Sequence, residues 1–227
     1  MDKRVVVGAA LVVVLVVAVA FRGVLGGGGD GGTTSPTTPV VAASPSPSAV
    51  ASAAPADGTA VAVTVSYTGA APAPKRIRKT PECGADPLVD ESLRVTAGKL
   101  QNALVRVVEG APAEAGSGVG ATVVQKACVY SPRVSGVIAG QSIAVTSEDA
   151  FLHNVHTFAG SASIFNKGQP APGTFVKEAA DFEVGGKPIE NGPITFKCDV
   201  HPWMISTVVV NPNRHFAVTG TDGTAAL

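Results

Sequence analysis

The chain has 227 residues, with 17 Lys plus Arg set against 17 Asp plus Glu and a formal charge of zero. That balance excludes the basic footprint of a nucleic-acid-binding protein. About 160 residues have the composition of a folded region, enough for one well-buried domain.

Residues 1–25 begin with the short basic start Met1-Asp2-Lys3-Arg4, after which residues 5–21 are apolar or small and uncharged. This stretch predicts an N-terminal hydrophobic helix, acting as a signal peptide or a membrane anchor. Ala18-Val19-Ala20 fits the small-x-small cleavage pattern of a signal peptide. The apolar run through Leu25, broken only by Arg22 and Gly23, also reaches the minimum for a membrane span. Lys3 and Arg4 would keep the N-terminus cytoplasmic and send the rest outward. No Cys lies near this segment, so a lipobox anchor is excluded. Residues 26–57 are rich in Gly, Ser, Thr and Pro. They bury too little apolar surface to order themselves and read as a disordered linker. A tether of this kind suits an uncleaved anchor. The expected location is outside the cytoplasm, periplasmic or cell-surface, held to a membrane through the N-terminal segment.

The folded domain is expected over 58–227. Alternation predicts a first strand over 60–68, with further strands over 92–97 and 103–109. Residues 70–90, rich in Lys, Arg and Pro, are expected to wrap the surface. Within them Lys75, Arg76, Arg78 and Lys79 read as a solvated basic face, with docking of an acidic redox protein as the alternative. Residues 114–120 read as a loop. Short strands follow over 122–125, 134–138 and 142–146, and residues 152–158 are expected to be extended. Residues 166–173 read as a Gly/Pro loop, and 174–184 as one or two edge strands. Residues 193–198 alternate apolar and polar, and 205–210 are β-branched, so both are strands. Short β-rich runs separated by Gly and Pro predict an all-β sandwich.

Between the last two of these strands stands Cys198-Asp199-Val200-His201-Pro202-Trp203-Met204, a C-x2-H-x2-M run. Upstream lies Leu152-His153-Asn154-Val155-His156. His153, Cys198, His201 and Met204 together supply two imidazoles, a thiolate and a thioether. Soft sulfur favours Cu(I) and imidazole suits both oxidation states, so this set can hold one redox-active copper with Met as a weak axial ligand. The thiol must ionise to bind, so metal uptake releases a proton. Zinc is the rival, on His153, His156, Cys198 and His201. An extended backbone argues against it, because His153 and His156 then face opposite ways. His156 stands as an alternative ligand only if a turn forms there. Pro202 and Trp203 are either packing residues or an apolar docking patch around a partly exposed edge of His201. With Cys198 on the metal, Cys83 and Cys128 remain as a disulfide pair, which export permits. Two buried free thiols are the alternative.

The short ligand loop resembles that of amicyanin-like cupredoxins. Leu152-His153-Asn154-Val155, and the stretch from Ala139 to Asp149 before it, are similar to the first-ligand segment of plastocyanins. The likeness covers roughly residues 130–212. It implies a Greek-key, cupredoxin-like β-sandwich with His153, Cys198, His201 and Met204 as ligands to one copper cycling between Cu(I) and Cu(II). It also implies that Asn154 ties the two ligand loops together. Residues 215–224 resemble the opening of a carboxypeptidase-regulatory-like β-module, which the chain ends too soon to complete.

The function these residues imply is one-electron transfer to a redox partner protein, with no small organic substrate and no enzymatic turnover. Cys198 is flanked by Lys197 and Asp199 and the chain holds four His, too few for a multicopper oxidase centre. Two other classes stay open: a copper or zinc binding and delivery protein, and a metal-free cupredoxin-like interaction module. A copper site with displaced Met and bound water is a further variant.

Overall fold

The computed structural model of the chain describes residues 14–17 and 60–227. Nine strands form its main body: β1 (Val119–Lys126), β2 (Val129–Ser131), β3 (Val134–Ile138), β4 (Ser142–Ser147), β5 (His153–Ala159), β6 (Ala162–Gln169), β7 (Gly173–Lys177), β8 (Gly192–Lys197) and β9 (Ile205–Asn211). One sheet runs β3-β9-β8-β5-β6 and the other β7-β4-β1-β2. The pairs β3/β9 and β4/β1 are parallel, which requires the chain to cross between sheets rather than fold as simple hairpins. The result is an all-β sandwich with Greek-key connections.

Side chains alternate across each strand, so one face of each sheet turns inward. Ala121, Val123, Ile143 and Val145 from one sheet share a core with Val155, Ile194, Phe196 and Val208 from the other. Phe196 and Ile194 are fully buried, each contributing about 1.5–3 kcal/mol by removal from water. Cys198 and Met204 belong to this same core, so the loop between β8 and β9 is anchored by its own ends.

A second, smaller layer joins chain segments far apart in sequence. Leu104–Val107 pairs with Phe216–Val218, and Ala62–Thr64 pairs with Thr224–Ala226. Val65, Leu100, Ala103, Val105, Ala217 and Leu227 form its core. The resemblance at 215–224 suggested the opening of a truncated module. The tail supplies strands to partners before Val119.

Two expectations change. Residues 166–169, expected in a loop, belong to β6, which pairs along all of β5 with a bulge at Thr157/Phe158. Pairing with a central strand overrides the weak β-propensity of Asn166-Lys167-Gly168. The N-terminal helix was expected over an apolar segment of which the structure describes Val14–Val17. These four are extended and pair in parallel with Leu104–Val107, as a Val-Leu-Val-Val run favours. The remainder of the segment where a helix was expected, and the linker expected over 26–57, lie outside the described residues. Among the described residues no helix is long and apolar enough to cross a membrane.

Candidate metal centre

His153 opens β5, and the 198–204 loop joins β8 to β9. Because β5 and β8 are neighbours, paired at His156 and Lys197, the two ligand segments meet at one end of the sandwich. The loop closes on itself: the Cys198 amide donates to the Met204 carbonyl at 3.3 Å, and the Met204 amide to the His201 carbonyl at 2.8 Å. Such bonds set the loop before any ion arrives, which is what a rigid β-framework offers a site.

Three donor atoms converge. Nδ1 of His153 lies 3.0 Å from Nδ1 of His201, and Sγ of Cys198 lies 3.7 Å from Nδ1 of His201. All three lie within 4.8 Å of one another, and all three residues are buried. With metal–nitrogen bonds of about 2.0 Å and a metal–sulfur bond of about 2.3 Å, a trigonal ion sets nitrogen and sulfur about 3.7 Å apart and two nitrogens about 3.5 Å apart. The Cys198–His201 separation matches that spacing, and the two imidazole nitrogens lie about 0.5 Å closer together than it. Met204, 1 % exposed, is buried in the adjoining core.

What stands behind each donor fixes its role. Nε2 of His153 donates to Oδ2 of Asp149 at 2.8 Å, which commits the ring's other nitrogen to the centre. Asp149 also accepts from the amides of Ala127 and Cys128 at 2.8 and 3.0 Å. Burial pushes its carboxyl up, but the Cys128 amide, His153 and the Ala127 amide together hold it below the ordinary carboxylate value. Burial likewise disfavours a charged His153, yet the Cys198 sulfur and Asp149 hold its imidazole above the usual value. Burial raises the Cys198 thiol, and His153 with the Asn154, His201 and Val200 backbone outweighs it, so ionisation is favoured. His201 is lowered by burial and by His153 beside it. Nδ1 of His153 and Nδ1 of His201 face each other beside the Cys198 sulfur, with the Asp149 carboxylate behind His153.

The outer edge of His201 is covered. Its side chain is 1 % exposed, with Nε2 at 3.6 Å from Oε1 of Glu82 and 3.8 Å from Sγ of Cys128. Glu82 and Cys83 lie on the Pro81–Cys83 turn, and Cys83 is disulfide-bonded to Cys128. Trp203 donates from Nε1 to the Cys128 carbonyl at 3.0 Å, so it is half-buried against the disulfide while Pro202 is exposed. The partly exposed ligand edge expected beside Pro202 and Trp203 is absent here, because a turn from the other half of the chain is stapled over it.

His156 does not join the donors. Its ring sits on the other face of β5, bonded to Asp199 at 3.0 Å and to Ser163 at 2.9 Å. This removes it from the four-ligand zinc set. Asn154 ties the ligand segments: Oδ1 accepts from the Asp199 amide at 2.6 Å and Nδ2 donates to Oδ2 of Asp199 at 2.8 Å. Its backbone amide meets Sγ of Cys198 at 3.5 Å, and its carbonyl accepts from Tyr130 at 2.7 Å. Asp149, Glu82 and the position of Cys128 against His201 went unforeseen. The one available signal was the four-residue spacing from Asp149 to a ligand His, because metal-binding imidazoles seek a carboxylate on their second nitrogen.

No family model matches the chain, and no curated protein matches it. Among solved structures the chain is similar to a purple cupredoxin from Nitrosopumilus maritimus, at 22% identity over 40% of this chain and 98% of that one, TM-score 0.31. It is similar to a Cu(I) amicyanin variant at 21% identity over 40% of this chain and 81% of that one, TM-score 0.32. A Cu-containing nitrite reductase from Thermus scotoductus SA-01 matches at 18% identity over 46% of this chain and 25% of that one, TM-score 0.32.

Proposed function

We propose that the chain is an exported one-electron carrier of the cupredoxin type, exchanging electrons with a redox partner protein. The observation that carries this reading is the convergence of His153 Nδ1, His201 Nδ1 and Cys198 Sγ inside the core. Copper held by these three and Met204 would supply a Cu(I)/Cu(II) couple. The residues do the rest. Asp149 fixes the His153 tautomer, and Asn154 holds the two ligand segments at one separation. The loop hydrogen bonds keep Cys198, His201 and Met204 in register, so little has to move when charge changes.

Burial of His153, Cys198 and His201 at 0–2 % exposure excludes substrate from the donors, which supports a carrier over a catalyst. Softness of the donors supports copper over zinc, and the removal of His156 leaves zinc without its fourth imidazole or thiolate. The test is a visible spectrum of the purified chain after adding Cu(II). An intense thiolate-to-copper band that is lost in Cys198→Ser, and that bleaches and returns through reduction and reoxidation, is expected. Tight Cu(I) binding without reversible oxidation would replace the carrier with a delivery protein, and native protein purified without metal would favour the interaction module.

A further inference from the structure

His201 faces two clusters of metal-binding atoms, one on each side of its ring. Nδ1 looks inward to His153 and Cys198. Nε2 looks outward to Sγ of Cys128 at 3.8 Å, and Cys83, Cys128 and His201 form a second buried set with all three donor atoms within 4.8 Å. We infer that Cys83 and Cys128, once their disulfide is reduced, form with Nε2 of His201 an outer binding site for Cu(I), from which the inner site is loaded.

Both cysteines are held by bonds that do not pass through sulfur. Cys128 is fixed by Asp149 on its amide at 3.0 Å and by Trp203 on its carbonyl at 3.0 Å. Cys83 is fixed by its amide to the Thr80 carbonyl at 3.1 Å and by Lys79 Nζ on its carbonyl at 2.8 Å. Their Cα atoms lie 5.4 Å apart. Reduction therefore leaves two thiols facing one imidazole edge. Two thiolates and an imidazole are soft donors that select Cu(I). Glu82, with its carboxylate 3.6 Å from Nε2 and a side chain 43 % exposed, connects this position to solvent and adds negative charge.

The chemistry balances with a dithiol reductant. Two electrons and two protons pass to the S–S bond, which breaks to give two thiols, while the reductant closes its own disulfide. Cu(I) binding then displaces the two thiol protons. One imidazole cannot lend a lone pair on both nitrogens while keeping its last proton, so outer and inner positions compete for His201, as a transfer relay requires.

The test uses the full chain carrying Cys198→Ser, which removes the inner thiolate. It is reduced with a phosphine and titrated anaerobically with Cu(I) against a chromogenic Cu(I) chelator. One Cu(I) per reduced chain, none on the disulfide form, and an affinity at least tenfold weaker with His201→Ala added are the expected results. Equal binding by reduced and oxidised chains, or indifference to His201→Ala, overturns the proposal. So does loss of cooperative melting on reduction, since the site depends on a folded frame. The inference does not require the inner site to carry electrons. The Cu(II) band of the disulfide-bonded wild-type chain reads that site separately, so the two can fail independently.

Discussion

The imidazole of His153 is backed by the sandwich itself, whereas His201 is backed by a turn from the other half of the chain. Asp149 stands four residues before His153, at the β4–β5 corner, and reaches its Nε2 at 2.8 Å. Glu82 lies 3.6 Å from His201 on a turn that the Cys83–Cys128 disulfide, across a sequence separation of 45, joins to the sandwich. The first support forms with the fold. The second is an added cover, removable in principle without touching a sheet hydrogen bond. The difference separates an imidazole held by its own corner of the sandwich from one covered by a distant segment.

The largest expected effect breaks the cover. Replacing both Cys83 and Cys128 with Ala should lower stability by about 4 kcal/mol on the chain-entropy model for this loop, measured by denaturant unfolding. Imidazole proton exchange by NMR should accelerate at His201 and stay slow at His153. Equal acceleration at both rings would mean that the two supports are one unit.

A smaller effect is expected on the other side. Asp149→Ala leaves Nε2 of His153 and the amides of Ala127 and Cys128 without their acceptor, at a cost of roughly 2–3 kcal/mol and about 10- to 100-fold in metal affinity. The acid limb sharpens the test. The folded-state carboxyl of Asp149 is held below its ordinary value, chiefly against burial by the Cys128 amide and His153. Its contribution is therefore complete above about pH 4, the unfolded value, and is lost as pH falls through the lowered folded value. The metal-free Asp149→Asn variant should lack that part of the acid dependence in unfolding curves taken between pH 5 and 2.

The asymmetry also marks what could be read from the chain beforehand. The meeting of Cys198 and His201 with His153, whose donor atoms lie within 4.8 Å of one another, was expected from residue type and the spacing of a seven-residue loop. β8 and β9 were legible from alternation and β-branching, and the two-sheet sandwich follows from such runs. The Cys83–Cys128 bond of the cover was legible from the cysteine count, but its seat on His201 was not, because Cys128 and His201 are 73 residues apart and no local pattern records their contact. β6 was hidden by Asn166-Lys167-Gly168, which become a strand only beside β5. The tail strands were hidden because Thr224–Ala226 finds its partner at Ala62–Thr64, at the opposite end of the folded region.

The smallest expected effect tests how the cover is seated. Trp203 lies one residue after exposed Pro202, and its ring centroid is 5.3 Å from that of His201. Its Nε1 donates to the Cys128 carbonyl at 3.0 Å. Trp203→Phe keeps an aromatic ring against the disulfide and deletes the donor. One net hydrogen bond of this kind contributes about 1 kcal/mol, so a loss of that size is expected in unfolding. The disulfide alone would still hold the turn, so exchange at His201 should rise only slightly. Were exchange at His201 to reach the level of the chain without the disulfide, the seat on Trp203 rather than the sulfur bridge would control access. A change at His153 should not accompany it, because Asp149 holds that ring from the opposite side.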